Sequence, residues 1–188
     1  MSYYTQEELM SLGLNSLGCN VNISKKASLY GCANISIGNN VRIDDFCVLS
    51  VGTGGLVIGD HIHIGVYSSI IGAGRVTLGN YANISSRVSI YSSNDDYSGR
   101  FMTNPTLPAT VTNVRHAEVA IGKHVIIGSG SVILPGVTLS DGVAVGALSL
   151  VNKDCEAFVV YAGVPAIKIN SRDRGLLKLE SDFSGNRM

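Results

Sequence analysis

Large apolar residues recur at every sixth position over residues 121–151: Ile121, Ile127, Ile133, Leu139, Val145 and Val151. A second series of small or β-branched residues, Val125, Ser131, Val137, Val143 and Ser149, runs beside it. A period of six fits neither an α-helix nor a simple alternating strand. It is the signature of a hexapeptide parallel β-helix, in which each hexad forms one flat face and three hexads close a coil. The large residue then points into a narrow triangular interior, and the small one sits where little room is left. Gly, Asn and Asp are expected at the corners, where backbone angles are unusual and a Cβ is a liability.

The same pattern reaches back along the chain through Leu17, Ile23 and Leu29, then Ile37, Ile43 and Leu49. It continues through Ile58, Ile64 and Ile70, and through Leu78, Ile84 and Ile90. Ile37 to Ile58 is 21 positions and Ile58 to Leu78 is 20, so short bulges are expected at 53–55 and 72–75; Ile121 to Leu139 returns to 18. Between Tyr91 and Glu118 the hexads vanish into a polar stretch with two prolines and three asparagines. A loop of this length inside a compact repeat is usually functional. The hexads resume in register at Val119, so residues 92–118 are an excursion from the coil and not a domain boundary.

Outside the coils, Thr5 and Glu8 have capping-box spacing, which predicts a short helix over 6–12 ended by Gly13. After Val151 the pattern frays, Pro165 interrupts it, and residues 176–183 read as a short amphipathic helix or tail with a polar, frayed end over 184–188. The chain thus divides into an N-terminal helical segment (1–16), an all-β parallel helix (17–169) and a C-terminal helix or tail (170–188).

Composition narrows the function. The 188 residues suit one principal domain, and 15% charged residues with 22 glycines are too apolar for a disordered chain. A formal net charge of zero without a basic run argues against nucleic acid as a partner. The start lacks a cationic and apolar leader, and no apolar run approaches the about 18 residues that span a bilayer, so a cytoplasmic protein with no membrane contact is expected. Cys19, Cys32, Cys47 and Cys155 form no CxxC pair, and neither disulfide nor metal is expected.

The hexads, the long loop, and the ending Lys153-Asp154 followed by Tyr161-Ala162-Gly163-Val164-Pro165-Ala166 together resemble the hexapeptide-repeat acyltransferases that use acetyl-CoA. The resemblance covers residues 17–169. It implies a left-handed coil, against the usual crossover rule, and a homotrimer with acetyl-CoA and acceptor held between neighbouring prisms. The loop YSSNDDYSGRFMTNPTLP most resembles the branch that N-acylates nucleotide-linked amino-dideoxyhexoses for O-antigen and other surface polysaccharides. The sugar it favours is dTDP-4-amino-4,6-dideoxyglucose.

In the relatives that O-acetylate galactosides and maltose, a catalytic His stands in the long loop. Carrying the spacing forward from Val76-Thr77-Leu78-Gly79 puts Asp95 there. A hydroxyl acceptor needs a base close to neutrality, whereas a neutral sugar amine is already a nucleophile. A carboxylate at Asp95, or at neighbouring Asp96, could orient that amine and take a proton; the competing reading makes both acids simple turn formers. His116 is the other base candidate, and His61, His63 and His124 are expected at the surface. The resemblance further implies Asn94 and Tyr67 as sugar-nucleotide contacts, and Ser129 and Ala147 as small residues lining the pantetheine channel. Asn152, Lys153, Lys168 and Arg172 would meet the nucleotide end of coenzyme A, by charge-assisted contacts at the three cations. Ile167 stands where many relatives carry a basic residue. No Cys or Ser sits beside a plausible base, so direct transfer in a ternary complex is expected.

Three other readings compete. One is an O-acetyltransferase with His116 as base, which requires His116 to be essential. Another is a metal-dependent carbonic anhydrase of the same architecture, but His61 and His63 are too close in sequence for its ligand set. The last is a binding scaffold without activity, against which the Ser129, Ala147 and Lys153 set argues.

Overall fold

The computed structural model describes residues 2–185. It is a left-handed parallel β-helix of about seven turns, and the hexads account for its three faces. The first face stacks Leu17, Ile37, Ile58, Leu78, Ile121 and Leu139 in register. The second stacks Ile23, Ile43, Ile64, Ile84, Ile127 and Val145. The third stacks Leu29, Leu49, Ile70, Ile90, Ile133 and Val151. Ile23, Ile43, Ile64, Ile84 and Ile127 are all fully buried, so the apolar column fixes the register: slipping by one residue would turn it to solvent. The companion series is buried as well, Val125, Ser131 and Val143 completely. Ser131 satisfies its hydroxyl on the Gly146 carbonyl at 3.0 Å.

The corners depart from expectation. Asn20 and Asn40 adopt left-handed backbone angles, but so do Phe46, His61, Tyr67, Tyr81, Arg87, His124, Leu148 and Phe158. Each such non-glycine residue costs roughly 1–2 kcal/mol. The offset is visible in the stacking of successive turns. Tyr81 lies parallel to His61 on one side (5.1 Å) and His124 on the other (4.8 Å), and Phe46 stacks on Tyr67 at 4.9 Å. Aromatic pairs of this kind return roughly 0.5–1.5 kcal/mol each. Glycine is obligatory where the turns touch: a Cβ on Gly31, at φ 74°, would run into the Val51 carbonyl oxygen.

Helix α1, Gln6–Ser11, carries the complete Thr5–Glu8 capping box, stops one residue short of the predicted end, and is followed by Gly13 at φ 69°. The excursion is partly ordered: Ser93–Asn94 and Arg115–His116 pair antiparallel at its base. Beyond Val151 the coil continues further than the pattern suggests. Val159–Ala162 extends the second face, with Val159 and Tyr161 buried, and Ile167–Ser171 folds back antiparallel against it. Helix α2, Gly175–Gly185, follows; the remainder of the predicted polar end, residues 186–188, lies outside the described residues.

Candidate active site

The excursion leaves from the corner between the third and first faces. There it builds a cleft of about 350 Å³ lined by Tyr91, Ser93, Asn94, Asp95, Tyr97, Leu134 and Pro135. Two candidates, Asn94 and Asp95, therefore share one cleft. The Asp95 carboxylate is exposed and takes no hydrogen bond or ion pair among the described residues.

Asp96 is different. One of its oxygens accepts from the Ser98 amide at 2.8 Å and the Ser98 hydroxyl at 2.5 Å, and the other accepts from Asn113 Nδ2 at 3.0 Å. These bonds, with Ser98 and then Asn113 contributing most, hold its pKa below the ordinary carboxylate value. Asp96 is the turn former of the pair, closing an Asx-turn and tying two arms of the excursion together. His116 lies outside the cleft lining. Its Nδ1 is 2.7 Å from Ser93 Oγ, which also accepts from the Ala73 amide at 2.7 Å, so His116 braces the wall that carries Asn94 and Asp95.

The remaining candidates divide between two corners. Ser129 and Ala147 occupy the corner between the second and third faces on successive turns, below Ser86. Ser86 Oγ and Ser129 Oγ share a hydrogen bond of 3.2 Å, and the Leu148 amide donates to the Ser129 carbonyl at 2.9 Å. The result is a column of small side chains. Tyr67 belongs to the same corner, but both of its faces are covered, by Phe46 and by the Arg87 guanidinium at 5.6 Å. It can offer a ligand only its edge and hydroxyl, not a stacking platform. Asn152 and Lys153 are exposed at the corner of the Asp95 cleft, one turn beyond Leu134 and Pro135.

The two late cations have different fates. Lys168 is exposed and pairs with Glu156 at 2.8 Å, a surface contact of little energetic weight. Arg172 turns inward. Its Nη1 donates to the carbonyls of His124 (2.8 Å), Gly142 (3.0 Å) and Val143 (3.3 Å). Nη1 thus staples the coil across two successive turns, a structural task beyond the coenzyme A contact expected of Arg172.

Pattern reading missed Tyr91 and Leu134 as cleft residues. The available signal was coil arithmetic, because Ile90 pairs with Ile133 and the residues that follow each must be neighbours. It also missed the docking of α2, whose Glu180 bonds Lys123 Nζ and His124 Nε2 at 2.7 Å each, with Phe183 edge-on to His61. Lys123 first, then His124, depress the Glu180 pKa below its ordinary value of 4.5. A depressed carboxylate stabilises docking above its unfolded pKa and loses that contribution as pH falls through the folded value. Hydrogen exchange of the α2 amides, corrected for intrinsic rates, should therefore show full protection at neutral pH and loss below pH 4.5. Glu180→Gln should remove this acid limb; a limb that persists in the variant would assign it elsewhere.

Among the described residues no group of three or more His, Cys, Asp or Glu side chains could hold a metal ion, and no helix is long and apolar enough to cross a membrane. No family model matches the chain. The chain is 61% identical over 183 residues to the dTDP-4-amino-4,6-dideoxy-D-glucose acyltransferase of Escherichia coli, covering 97% of this chain and 95% of that protein. It superposes on a serine-to-alanine variant of AntD, an N-acyltransferase from Bacillus cereus, with a TM-score of 0.94, 45% identity and 98% of both chains covered. That structure holds dTDP-4-amino-4,6-dideoxyglucose and coenzyme A. A further AntD structure, with dTDP and 3-hydroxybutyryl-CoA, matches at TM-score 0.94 and 46% identity over 98% of this chain and 97% of that one.

Proposed function

Because this chain belongs to the hexapeptide-repeat acyltransferases, in the group of the dTDP-4-amino-4,6-dideoxyglucose acyltransferases, we propose that it N-acetylates the sugar amine of that nucleotide, with acetyl-CoA as donor. The observation that carries the reading is the pair of neighbouring acids: Asp95 open in a cleft, Asp96 consumed by its turn. An unencumbered carboxylate without a histidine in the lining suits an amine, which needs orientation and a proton acceptor more than activation.

The neutral amine nitrogen attacks the thioester carbonyl carbon, forming the C–N bond, and one N–H proton passes to Asp95. The C–S bond then breaks and the proton goes to the departing thiolate, leaving an amide and free coenzyme A. A backbone N–H of a late turn would steady the oxyanion. No acyl-enzyme is needed, and the buried thiols are poor nucleophiles: burial raises Cys47, and pushes Cys155 up to about 11.

Ser129 and Ala147 stand at a different corner from Asp95 and Lys153, so a neighbouring prism would complete the site. We therefore read the enzyme as a homotrimer with three intersubunit sites, the pantetheine running along the small-residue column and Lys153 and Lys168 near the phosphates. Four free cysteines, an acyl-CoA donor and a nucleotide sugar fit a cytoplasmic enzyme of surface-polysaccharide or O-antigen synthesis. Mass spectrometry of purified protein with acetyl-CoA and dTDP-4-amino-4,6-dideoxyglucose should give a product heavier by one acetyl group. Bound acetyl-CoA without product would reject this acceptor. An O-acetyl product that depends on His116 would install the hydroxyl reading instead.

A further inference from the structure

The Asp95 cleft has two unlike walls. Ser93, Asn94 and Asp95 make one polar; Tyr91, Leu134 and Pro135 make the other apolar. The apolar wall is built by the coil itself. Ser89 pairs with Val132 and Ile90 with Ile133, so Tyr91 and Leu134 are consecutive steps of one outward column. Leu134 is held on the ladder by its amide, which donates to the Val151 carbonyl at 3.0 Å. Pro135 has no N–H and a fixed φ, so this stretch of wall presents apolar surface with no backbone donor.

A 4-amino-4,6-dideoxyhexose carries its amine and its C6 methyl on substituents of adjacent ring carbons. An amine seated at Asp95 therefore places C6 within contact of whatever adjoins the carboxylate. We propose that Tyr91, Leu134 and Pro135 read the C6 methyl and make the enzyme selective for 6-deoxy over 6-hydroxy amino sugars. This rests on the reading of Asp95 as the amine's partner. The selectivity has a natural ceiling. An apolar wall rejects an added hydroxyl only through the water it strips from it, which limits discrimination to roughly 100-fold. The methyl adds about fourfold through its own burial. A preference of roughly 10- to 100-fold is expected.

The test compares kcat/KM for dTDP-4-amino-4,6-dideoxyglucose and its 6-hydroxy counterpart, with acetyl-CoA, in the wild type, Leu134→Asn and Leu134→Met. The wild type and Leu134→Met should prefer the 6-deoxy sugar. Leu134→Asn, similar in size but polar, should lose about tenfold on the 6-deoxy sugar, hold on the 6-hydroxy one, and so shrink the preference about tenfold. Pro135→Ser probes the same wall should Leu134→Asn fold poorly. A wild type indifferent to C6, or a preference that survives both polar variants, overturns the methyl-reading wall. Failure of the wild type on both sugars while it still binds acetyl-CoA rejects the 4-amino acceptor on which the inference rests, and the wild-type data alone separate the two.

Discussion

Asp95→Asn should lower kcat for acyl transfer by roughly 10²- to 10⁴-fold, the usual contribution of a positioned proton acceptor, while acetyl-CoA still binds. The asparagine keeps the shape and one acceptor but cannot take a proton. The loss should therefore appear in kcat more than in KM, as for an interaction made in the transition state. The contrast with Asp96 sharpens the test. Asp96→Asn would weaken the bonds to Ser98 and Asn113 that shape the excursion. Its effect should be smaller and should fall on KM for the sugar, because a loosened loop positions substrate poorly. Steady-state kinetics with acetyl-CoA and dTDP-4-amino-4,6-dideoxyglucose decide it. If Asp95→Asn turns over at the wild-type rate, the base is elsewhere or none is needed, and His116→Ala becomes the next variant.

The coil was legible because its information is local and repeated. Ile84 and Ile127 are far apart in sequence yet pair, and the hexad around each marks it as inward without reference to its partner. The long excursion was legible for the opposite reason, as the place where that repetition fails. The site was legible only in part. The break in the hexads and the resemblance pointed to the loop that builds the cleft lined by Asn94 and Asp95. They did not show the division of labour between Asp95 and Asp96, although Ser98 two residues after Asp96 is the ordinary sign of an Asx-turn. The aromatic corners were hidden for a different physical reason. A left-handed Tyr81 is unfavourable by itself and makes sense only between His61 and His124, partners on the turns to either side. The fate of Arg172 was hidden likewise, since sequence gives a charge but not the carbonyls it will meet.

Arg172→Ala should cost about 2–3 kcal/mol of stability, because the His124 and Gly142 carbonyls lose a charged donor, and should leave coenzyme A affinity nearly unchanged. The guanidinium reaches His124 on one turn and Gly142 and Val143 on the next, so it clamps two successive corners beside the docked α2. Burial lowers its pKa, yet an arginine stays charged throughout the working range. The thermal midpoint should fall by roughly 4–10 °C for a chain of this size. Arg172→Lys should recover only part of that, since a strongly hydrated ammonium on a flexible stem holds its donors at the three carbonyls less firmly than a planar guanidinium whose Nη1 already faces them. Lys153→Ala, by contrast, removes an exposed cation from the cleft corner. It should raise KM for acetyl-CoA with the midpoint unmoved. Calorimetry beside steady-state kinetics separates the two cases. A loss of coenzyme A binding in Arg172→Ala at an unchanged midpoint would return that arginine to the phosphates. The coil would then have to be held at those corners by its backbone ladder and by Glu180 alone.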